Sequence, residues 1–281
     1  MNDPMISAEA LQARLGSPEL KVVDGSWFLD GTDARAAFRQ AHLPGAVFYD
    51  LDASSAQDAD LPHMLPSPGA FARRAGELGL TVDDNIVVYD QQGLFSAARV
   101  WWALRVMGAR SVRVLDGGLP SWRERGGPLE AGDPAPPPAV FQARFDPAQV
   151  AAAEDVLSAL TTGSAQVADA RPAARFRGGA PEPRAGLRSG AMPGAANVPF
   201  GDLLNADRTL KSAEALRQAF AVAGVDPDRP VVATCGSGVT AAVVLLALAR
   251  LGRDDGRLYD GSWADWGRRA ELPVVAGASS S

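Results

Sequence analysis

The chain has 281 residues, long for one domain and comfortable for two, and its 47% hydrophobic and 21% charged residues are typical of a globular protein. A net charge of −6 and a pI near 5.0 argue against a nucleic-acid partner and against binding to an anionic membrane. The longest apolar run, residues 241–249, is too short to span a bilayer, and the first residues lack the apolar core of a signal peptide. The single cysteine excludes an internal disulfide, so we expect a cytoplasmic protein in a reducing compartment.

The first half of the chain predicts an α/β unit. Three short apolar runs, VVD, NIVVYD and VRVLD, end at Asp24, Asp90 and Asp116 and have the composition of buried parallel strands. After Asp90 a short turn leads into residues 96–107, whose apolar side chains predict a helix. Strands and helices that alternate over such short connections form a parallel sheet covered by helices.

The middle of the chain predicts a linker. Residues 126–138, with the sequence GGPLEAGDPAPPP, are rich in proline and glycine and show no periodicity. We therefore expect a first domain over residues 1–125, a linker over 126–147 and a second domain over 148–281.

The second half repeats the first in the same order. The runs VAD, PVVATC and GRLYD correspond to the three strands of the first half, and residues 239–251 predict the matching helix. Asp24 and Asp90 are 66 residues apart, and so are Asp169 and Cys235. Self-similarity of this kind indicates that one unit was duplicated, and it places Cys235 at the position of Asp90.

Cys235 ends a predicted strand, and the glycine-rich residues 236–240 lead directly into a helix. The carboxyl ends of parallel strands bind ligands in α/β folds, and a glycine-rich turn into a helix aims successive backbone N–H groups at an anion. Such donors favour a thiolate and also the charged outer sulfur of a persulfide. A lone cysteine is more often an inert buried residue, but the polar Asp90 at the matching position predicts a surface-facing strand end.

Several ordered segments resemble the tandem-domain rhodanese family. They are CGSGVT at residues 235–240, PHMLP at 62–66, VWWALR, LDGGLPSW, RFRGGAPEPR and YDGSWADW. The cysteine loop resembles that of the 3-mercaptopyruvate sulfurtransferases, and it lacks the basic residues that follow the cysteine in thiosulfate sulfurtransferases. The resemblance implies an α/β fold of two tandem rhodanese-like domains, each a parallel sheet flanked by helices, of which only the second carries a catalytic cysteine.

The resemblance also implies substrate-binding residues. Arg175 and Arg184, within RFRGGAPEPR, are expected to hold the carboxylate and the keto oxygen of the substrate. A guanidinium is a fork of fixed donors that suits a planar carboxylate. The loop residues expected to surround the transferred sulfur are Gly236, Gly238, Val239 and Thr240.

By the same resemblance, His63 and Asp52 come from the first half of the chain and pair with Ser237 of the cysteine loop to relay a proton. A lone histidine is more often a structural residue, but the PHMLP match favours a catalytic role for His63. Pro62 stands where the family has an acidic residue, which bears on the orientation of the imidazole.

The implied reaction transfers sulfur in two steps. The Cys235 thiolate attacks the sulfur of 3-mercaptopyruvate docked in a cleft between the domains, and pyruvate leaves. The persulfide then passes its outer sulfur to cyanide, to a small thiol or to reduced thioredoxin. We expect no cofactor and no metal, since one cysteine and two histidines offer no plausible zinc site.

Three other functions compete with this interpretation. A thiosulfate:cyanide sulfurtransferase has a similar architecture and differs in the preferred donor. A cysteine-dependent phosphatase requires an arginine six residues after the cysteine to hold phosphate, and this chain has Ala241 there. A non-catalytic binding module describes the first domain, with Asp90 at the cysteine position, better than it describes the second.

The remaining conspicuous residues have a structural interpretation. His42, in AHLPGA, aligns with Met192 of the second half, so we expect it to pack and not to take part in catalysis. Both halves carry a tryptophan after the sequence DGG or DGS, which favours packing over a binding box. We therefore expect a packing role for Trp101, Trp102, Trp122, Trp263 and Trp266.

Overall fold

The computed structural model describes residues 3–275, which fold into two compact units. The first unit comprises the described residues up to Asp58, then Leu65–Pro147 and Leu204–Leu210. The second comprises Ala59–Met64, Ala148–Leu203 and the described residues from Lys211 onwards. One short segment from each half of the chain therefore packs with the unit formed by the other half.

The first unit is built on a five-stranded parallel sheet with the strand order β1-β5-β4-β2-β3. Its strands are β1 (Met5–Ile6), β2 (Leu20–Asp24), β3 (Val47–Phe48), β4 (Asn85–Tyr89) and β5 (Ser111–Leu115). Its helices are α1 (Ala8–Gln12), α2 (Ala34–Gln40), α3 (Pro68–Glu77), α4 (Ala97–Val106) and α5 (Gly118–Glu124). Ser7, Asp33 and Ser67 accept a backbone N–H at the start of α1, α2 and α3, which fixes where these helices begin.

The second unit has a five-stranded parallel sheet with the order β6-β10-β9-β7-β8, which is the order of the first sheet strand for strand. Its strands are β6 (Val150–Ala151), β7 (Gln166–Asp169), β8 (Ala196–Asn197), β9 (Val231–Thr234) and β10 (Arg257–Tyr259). Its helices are α6 (Ala153–Thr162), α7 (Ala173–Phe176), α8 (Ala213–Val222), α9 (Ala241–Arg250) and α10 (Ser262–Trp266). Short 3-10 turns lie at Pro147–Gln149 and Phe200–Leu203. The shared strand order confirms the predicted duplication.

The central strand of the second sheet positions the cysteine. Strand β9 lies between β7 and β10, with Thr234 beside Asp169 and Ala233 beside Leu258. All four residues of β9 are buried, as expected for an apolar strand covered by helices on both faces. Cys235 therefore follows directly after the carboxyl end of a central strand whose residues are all buried.

The predicted helices are close to the observed ones. The helix expected over residues 96–107 spans Ala97–Val106, and the helix expected over 239–251 spans Ala241–Arg250. The extra predicted residues form the turns and caps at the helix ends. Residues 127–146 contain no helix or strand beyond an isolated bridge between Glu130 and His42, and they pack with the first unit.

The residues predicted to pack are buried. Each of the five tryptophans is at most 2% exposed. His42 is 1% exposed, its Nδ1 lies 2.9 Å from the carbonyl oxygen of Phe38, and its ring stacks on the Phe38 ring at 4.1 Å. These structural assignments are confirmed. Among residues 3–275 no helix combines the length and the apolarity that crossing a membrane requires.

Candidate functional site

Cys235 begins the loop of residues 235–240 that connects β9 to α9. The residue is 2% exposed, and Gly238 takes a φ of 77°, a left-handed conformation that glycine adopts without strain. The N–H of Cys235 donates to the hydroxyl of Ser262 at 3.2 Å, and its carbonyl oxygen accepts the N–H of Trp263 at 3.0 Å. The peptide units before and after the Cα of Cys235 are therefore both hydrogen-bonded to the start of α10.

The matching loop of the first unit shows what such a loop can hold. Asp90 is fully buried, and its carboxylate accepts the N–H groups of Gln92, Phe95 and Ala97 at 2.9, 2.7 and 2.9 Å. Burial raises the pKa of Asp90, while these amide donors act in the opposite direction. The prediction that Asp90 marks a surface-facing strand end is wrong, because loop amides solvate this carboxylate in place of water.

The cysteine loop lacks a carboxylate at its centre. Gln92 and Phe95 correspond to Ser237 and Thr240, whose backbone N–H groups donate to no acceptor within residues 3–275. Two of the donors that hold an anion in the first unit are therefore unused beside Cys235.

Arg175 reaches the cysteine loop from the end of α7. Its guanidinium lies so close to Gly236 that a Cβ at position 236 would be 3.0 Å from Nη2 of Arg175. The buried carboxylate of Glu182 accepts from that Nη2 and also from Nη1 of Arg171, the latter at 2.8 Å. The Nε of Arg175 is buried and has no hydrogen-bond partner in the described part of the chain. A positive charge is thus held beside the loop with one donor unused.

Arg171 supports this arrangement from the interior. Its side chain is fully buried, donates to both carboxylate oxygens of Asp169 at 2.7 to 3.1 Å, and stands 4.0 Å from the ring centre of Trp263. Burial lowers the pKa of Arg171, but the carboxylates of Asp169 and Glu182 outweigh that effect and raise it. Sequence reasoning missed this network; the available signal was the acidic Glu182 inside the arginine-rich motif itself.

His63 and Ser237, both predicted site residues, lie together. Nδ1 of His63 is 3.0 Å from Oγ of Ser237, and both residues are buried. His63 belongs to the segment Ala59–Met64, which packs with the second unit. Its φ of 60° is a left-handed conformation that costs energy in a non-glycine residue. Asp52 lies in the first unit, where its carboxylate accepts the indole N–H of Trp27 at 3.0 Å.

The other predicted site residues lie in two loops of the second unit. Val239 is buried in the cysteine loop, and Gly236 and Thr240 are half-buried there. Arg184 is half-buried two residues after Glu182. Residues 3–275 contain no cluster of three or more His, Cys, Asp or Glu side chains that could hold a metal ion.

Known proteins share this architecture over nearly the whole chain. The family profile of the rhodanese-like domain matches residues 7–125 and 152–269. A 3-mercaptopyruvate sulfurtransferase of Escherichia coli K12 is 44% identical over 272 residues, 96% of each chain. A thiosulfate sulfurtransferase of Rattus norvegicus is 41% identical over 278 residues, 97% of this chain and 94% of the relative.

A solved structure agrees with these sequence matches. The crystal structure of SseA from Escherichia coli, described as a 3-mercaptopyruvate sulfotransferase, superposes with a TM-score of 0.86 at 42% identity and covers 93% of this chain and 99% of its own. The chain belongs to the rhodanese family, with one rhodanese-like domain in each half.

Proposed function

We propose that the protein transfers sulfur from 3-mercaptopyruvate, through a persulfide on Cys235, to a thiol or to cyanide, and releases pyruvate. The observation that carries this proposal is the pair of matching loops. In the first unit, loop amides hold carboxylate oxygens that stand three bonds from the Cα of Asp90. The outer sulfur of a persulfide on Cys235 also stands three bonds from its Cα. We expect the corresponding amides of Ser237 and Thr240 to hold that charged sulfur in the same way.

The donor is bound by arginine. Arg175, fixed by Glu182 beside Gly236, offers a planar fork to the carboxylate of an α-keto acid. Arg184 supplies further donors for the keto oxygen. The cysteine loop carries no cation of its own, so the positive charge beside it comes from the motif that contains α7. The loop residues around the sulfur are Gly236, Gly238, Val239 and Thr240.

The chemistry is a sulfur transfer in two steps. The Cys235 thiolate forms an S–S bond to the donor sulfur while the donor C–S bond breaks, and that electron pair passes into the enolate of pyruvate. The S–H proton of the new persulfide is released and the enolate takes up a proton at its methylene carbon, relayed through Ser237 and His63. An acceptor then bonds to the outer sulfur, and the S–S electron pair returns to Cys235 as thiolate. Two steps replace one harder transfer.

Intact-mass measurement tests the proposal. Treatment of the wild type with 3-mercaptopyruvate, without an acceptor, is expected to add one sulfur atom, and cyanide is expected to remove it. Cys235→Ser, which keeps the shape of the loop, is expected to gain nothing. A wild type that gains no sulfur while pyruvate is released would contradict the persulfide.

A thiosulfate:cyanide sulfurtransferase is the second candidate, because the rat relative of that name covers almost the whole chain. The two candidates differ in the donor. We expect kcat/KM for 3-mercaptopyruvate to exceed that for thiosulfate by about tenfold or more, since the arginine fork fits a planar carboxylate. The reverse preference would establish thiosulfate as the donor.

We also propose a cytoplasmic location. The nucleophile is a free thiol that must remain reduced between turnovers, which a reducing compartment ensures. Cell fractionation followed by immunodetection checks the location, and recovery in an oxidising compartment would contradict it.

A further inference from the structure

We infer that Ser262 is a positioning residue for Cys235, whose hydroxyl holds the backbone of the cysteine loop and leaves the sulfur free. The inference rests on the proposed function of Cys235. Ser262 begins α10 and is fully buried. Its Oγ accepts the N–H of Cys235 at 3.2 Å and donates to the carbonyl oxygen of Tyr259 at 2.8 Å. The hydroxyl therefore links the end of β10 to the residue that follows β9.

The backbone of Ser262 adopts a conformation that serine rarely takes. Its φ is 50°, and within residues 3–275 His63 and Arg208 are the other non-glycine residues with positive φ. The first unit has Gly118 at the matching position, with a φ of 55°. The fold thus needs only a glycine there, and the second unit retains a serine in spite of the strain. Strain retained beside a reactive group indicates a role for the side chain.

The first unit cannot use a serine at this position and does not need one. A Cβ on Gly118 would lie 2.4 Å from the carbonyl oxygen of Asp90 and 2.6 Å from that of Gly93. In the first unit a side chain of the loop itself holds the loop, because the carboxylate of Asp90 accepts three of the loop amides. Cys235 cannot hold its own loop in this way, since its sulfur must remain available to the donor. In the second unit the hydroxyl of Ser262, which lies outside the loop, accepts the Cys235 N–H instead.

Two residues next to Ser262 extend the anchorage. The N–H of Trp263 donates to the carbonyl oxygen of Cys235 at 3.0 Å, and the N–H of Ala264 donates to that of Gly236 at 2.9 Å. The first turn of α10 therefore binds three backbone groups of the cysteine loop, the N–H and carbonyl of Cys235 and the carbonyl of Gly236. Together these bonds fix the direction in which the Cα–Cβ bond of Cys235 leaves the backbone, and so the point from which the thiol projects.

Ser262→Gly tests the inference, because it installs the residue of the first unit, relieves the strain and removes the hydroxyl. We expect kcat with 3-mercaptopyruvate to fall about tenfold or more while KM stays within about twofold, since a small displacement of the reacting sulfur impairs turnover more than binding. The melting temperature should not fall, because relief of strain offsets the lost hydrogen bond. A residue with only a structural role would lower stability together with kcat.

Two variants serve as controls. Ser262→Ala keeps the strained backbone and loses the bond, so we expect the same fall in kcat together with a lower melting temperature. Arg208→Gly relieves a positive φ of 67° in the first unit and should leave kcat unchanged. The inference is overturned if Ser262→Gly keeps the wild-type kcat, or if Arg208→Gly loses as much.

Amide hydrogen exchange separates this inference from the proposed function. We expect the Cys235 N–H to exchange about tenfold faster or more in Ser262→Gly than in the wild type, whether or not sulfur is transferred. If the wild type forms no persulfide, the proposed function fails while faster exchange still supports the anchorage. Unchanged exchange at Cys235 would overturn the anchorage whatever the activity.

Discussion

The loop after β4 and the loop after β9 have the same place in their sheets and the same left-handed glycine, Gly93 with a φ of 107° and Gly238 with a φ of 77°. They differ in what fills the centre. In the first loop the carboxylate of Asp90 is enclosed by three amide donors, whereas the second presents the thiol of Cys235 to donors that are unused. The same anion-binding turn is therefore structural where its own carboxylate occupies the amide donors, and it can bind a reacting group where those donors are unused.

The side chains around the two loops follow the same division. In the first loop, Gln91 and Gln92 are tied down: the backbone N–H of Gln91 donates to Ser26 at 2.9 Å, and the side-chain amide of Gln92 donates to the carbonyl oxygen of Trp27 at 2.9 Å. The second loop has the smaller Gly236 and Ser237 at these positions. Small residues leave room for Arg175 at Gly236 and for His63 at Ser237.

The largest expected effect comes from making the second loop like the first. Cys235→Asp should abolish sulfur uptake completely, since no nucleophile remains. Near pH 4, where burial penalises the carboxyl group least, the free energy of unfolding should stay within about 1 kcal/mol of that of Cys235→Ser, because the loop amides can donate to the new carboxyl oxygens. Intact mass and urea unfolding measure the two effects. An Asp variant much less stable than the Ser variant would show that the second loop does not bind an anion as the first does.

Removing the cation that approaches only the second loop ranks next. Arg175→Met should lower kcat/KM for 3-mercaptopyruvate about 10- to 100-fold, mainly through KM, because charge-assisted hydrogen bonds to the carboxylate are lost. Steady-state kinetics measure this change. Arg177→Met is the matched control: Arg177 is exposed in the same motif, so its kinetics should match the wild type. Equal losses in both variants would refute specific binding by Arg175.

The histidine beside the second loop should have a smaller effect. His63→Ala and Ser237→Ala are each expected to lower kcat about tenfold while a persulfide still forms, since both belong to one proton relay. The double variant should lose no more than either single variant, because the relay is broken once. Single-turnover pyruvate release measures the rates. Losses that multiply in the double variant would show that the two residues act independently.

Local sequence features predicted most of the fold. Strands β4 and β9 and the helices that follow them were recognised from the composition and periodicity of their apolar residues. The internal repeat identified Cys235 and Asp90 as equivalent positions. The segments Ala59–Met64 and Leu204–Leu210 pack with the unit formed by the other half of the chain. The PHMLP match implied this for His63, whereas no sequence feature indicated it for Leu204–Leu210.

The site was predicted less completely, because its supporting contacts join residues distant in sequence. Ser262 and Cys235 are 27 residues apart, and the bond between them depends on the pairing of β9 with β10. Arg171 and Glu182 are 11 residues apart, and both side chains are buried because they form an ion pair that no sequence motif identified. The prediction that Asp90 faces the surface was wrong because backbone N–H groups hold its carboxylate, and the sequence does not reveal such donors.

The smallest effect on sulfur transfer is expected in the first loop itself. Asp90→Asn keeps the shape of the side chain but turns one acceptor into a donor, so at least one of the three loop amides loses its partner. The variant should be less stable by about 1 kcal/mol near pH 4 and keep its activity within about twofold. Urea unfolding and steady-state kinetics check these values.

The pH dependence of the stability difference between the wild type and Asp90→Asn shows whether burial or the amide donors has the larger effect on the pKa of Asp90. Burial raises the pKa of Asp90, so the native protein binds a proton more tightly than the unfolded chain does. Stability that depends on Asp90 is then present below about pH 4, near the pKa of an unfolded aspartate, and is lost as pH rises through the native value. The asparagine of the variant does not titrate, so the advantage of the wild type should shrink as pH rises. An advantage that grows with pH would show that the loop amides outweigh burial, and would make the matching amides of the cysteine loop stronger anion binders.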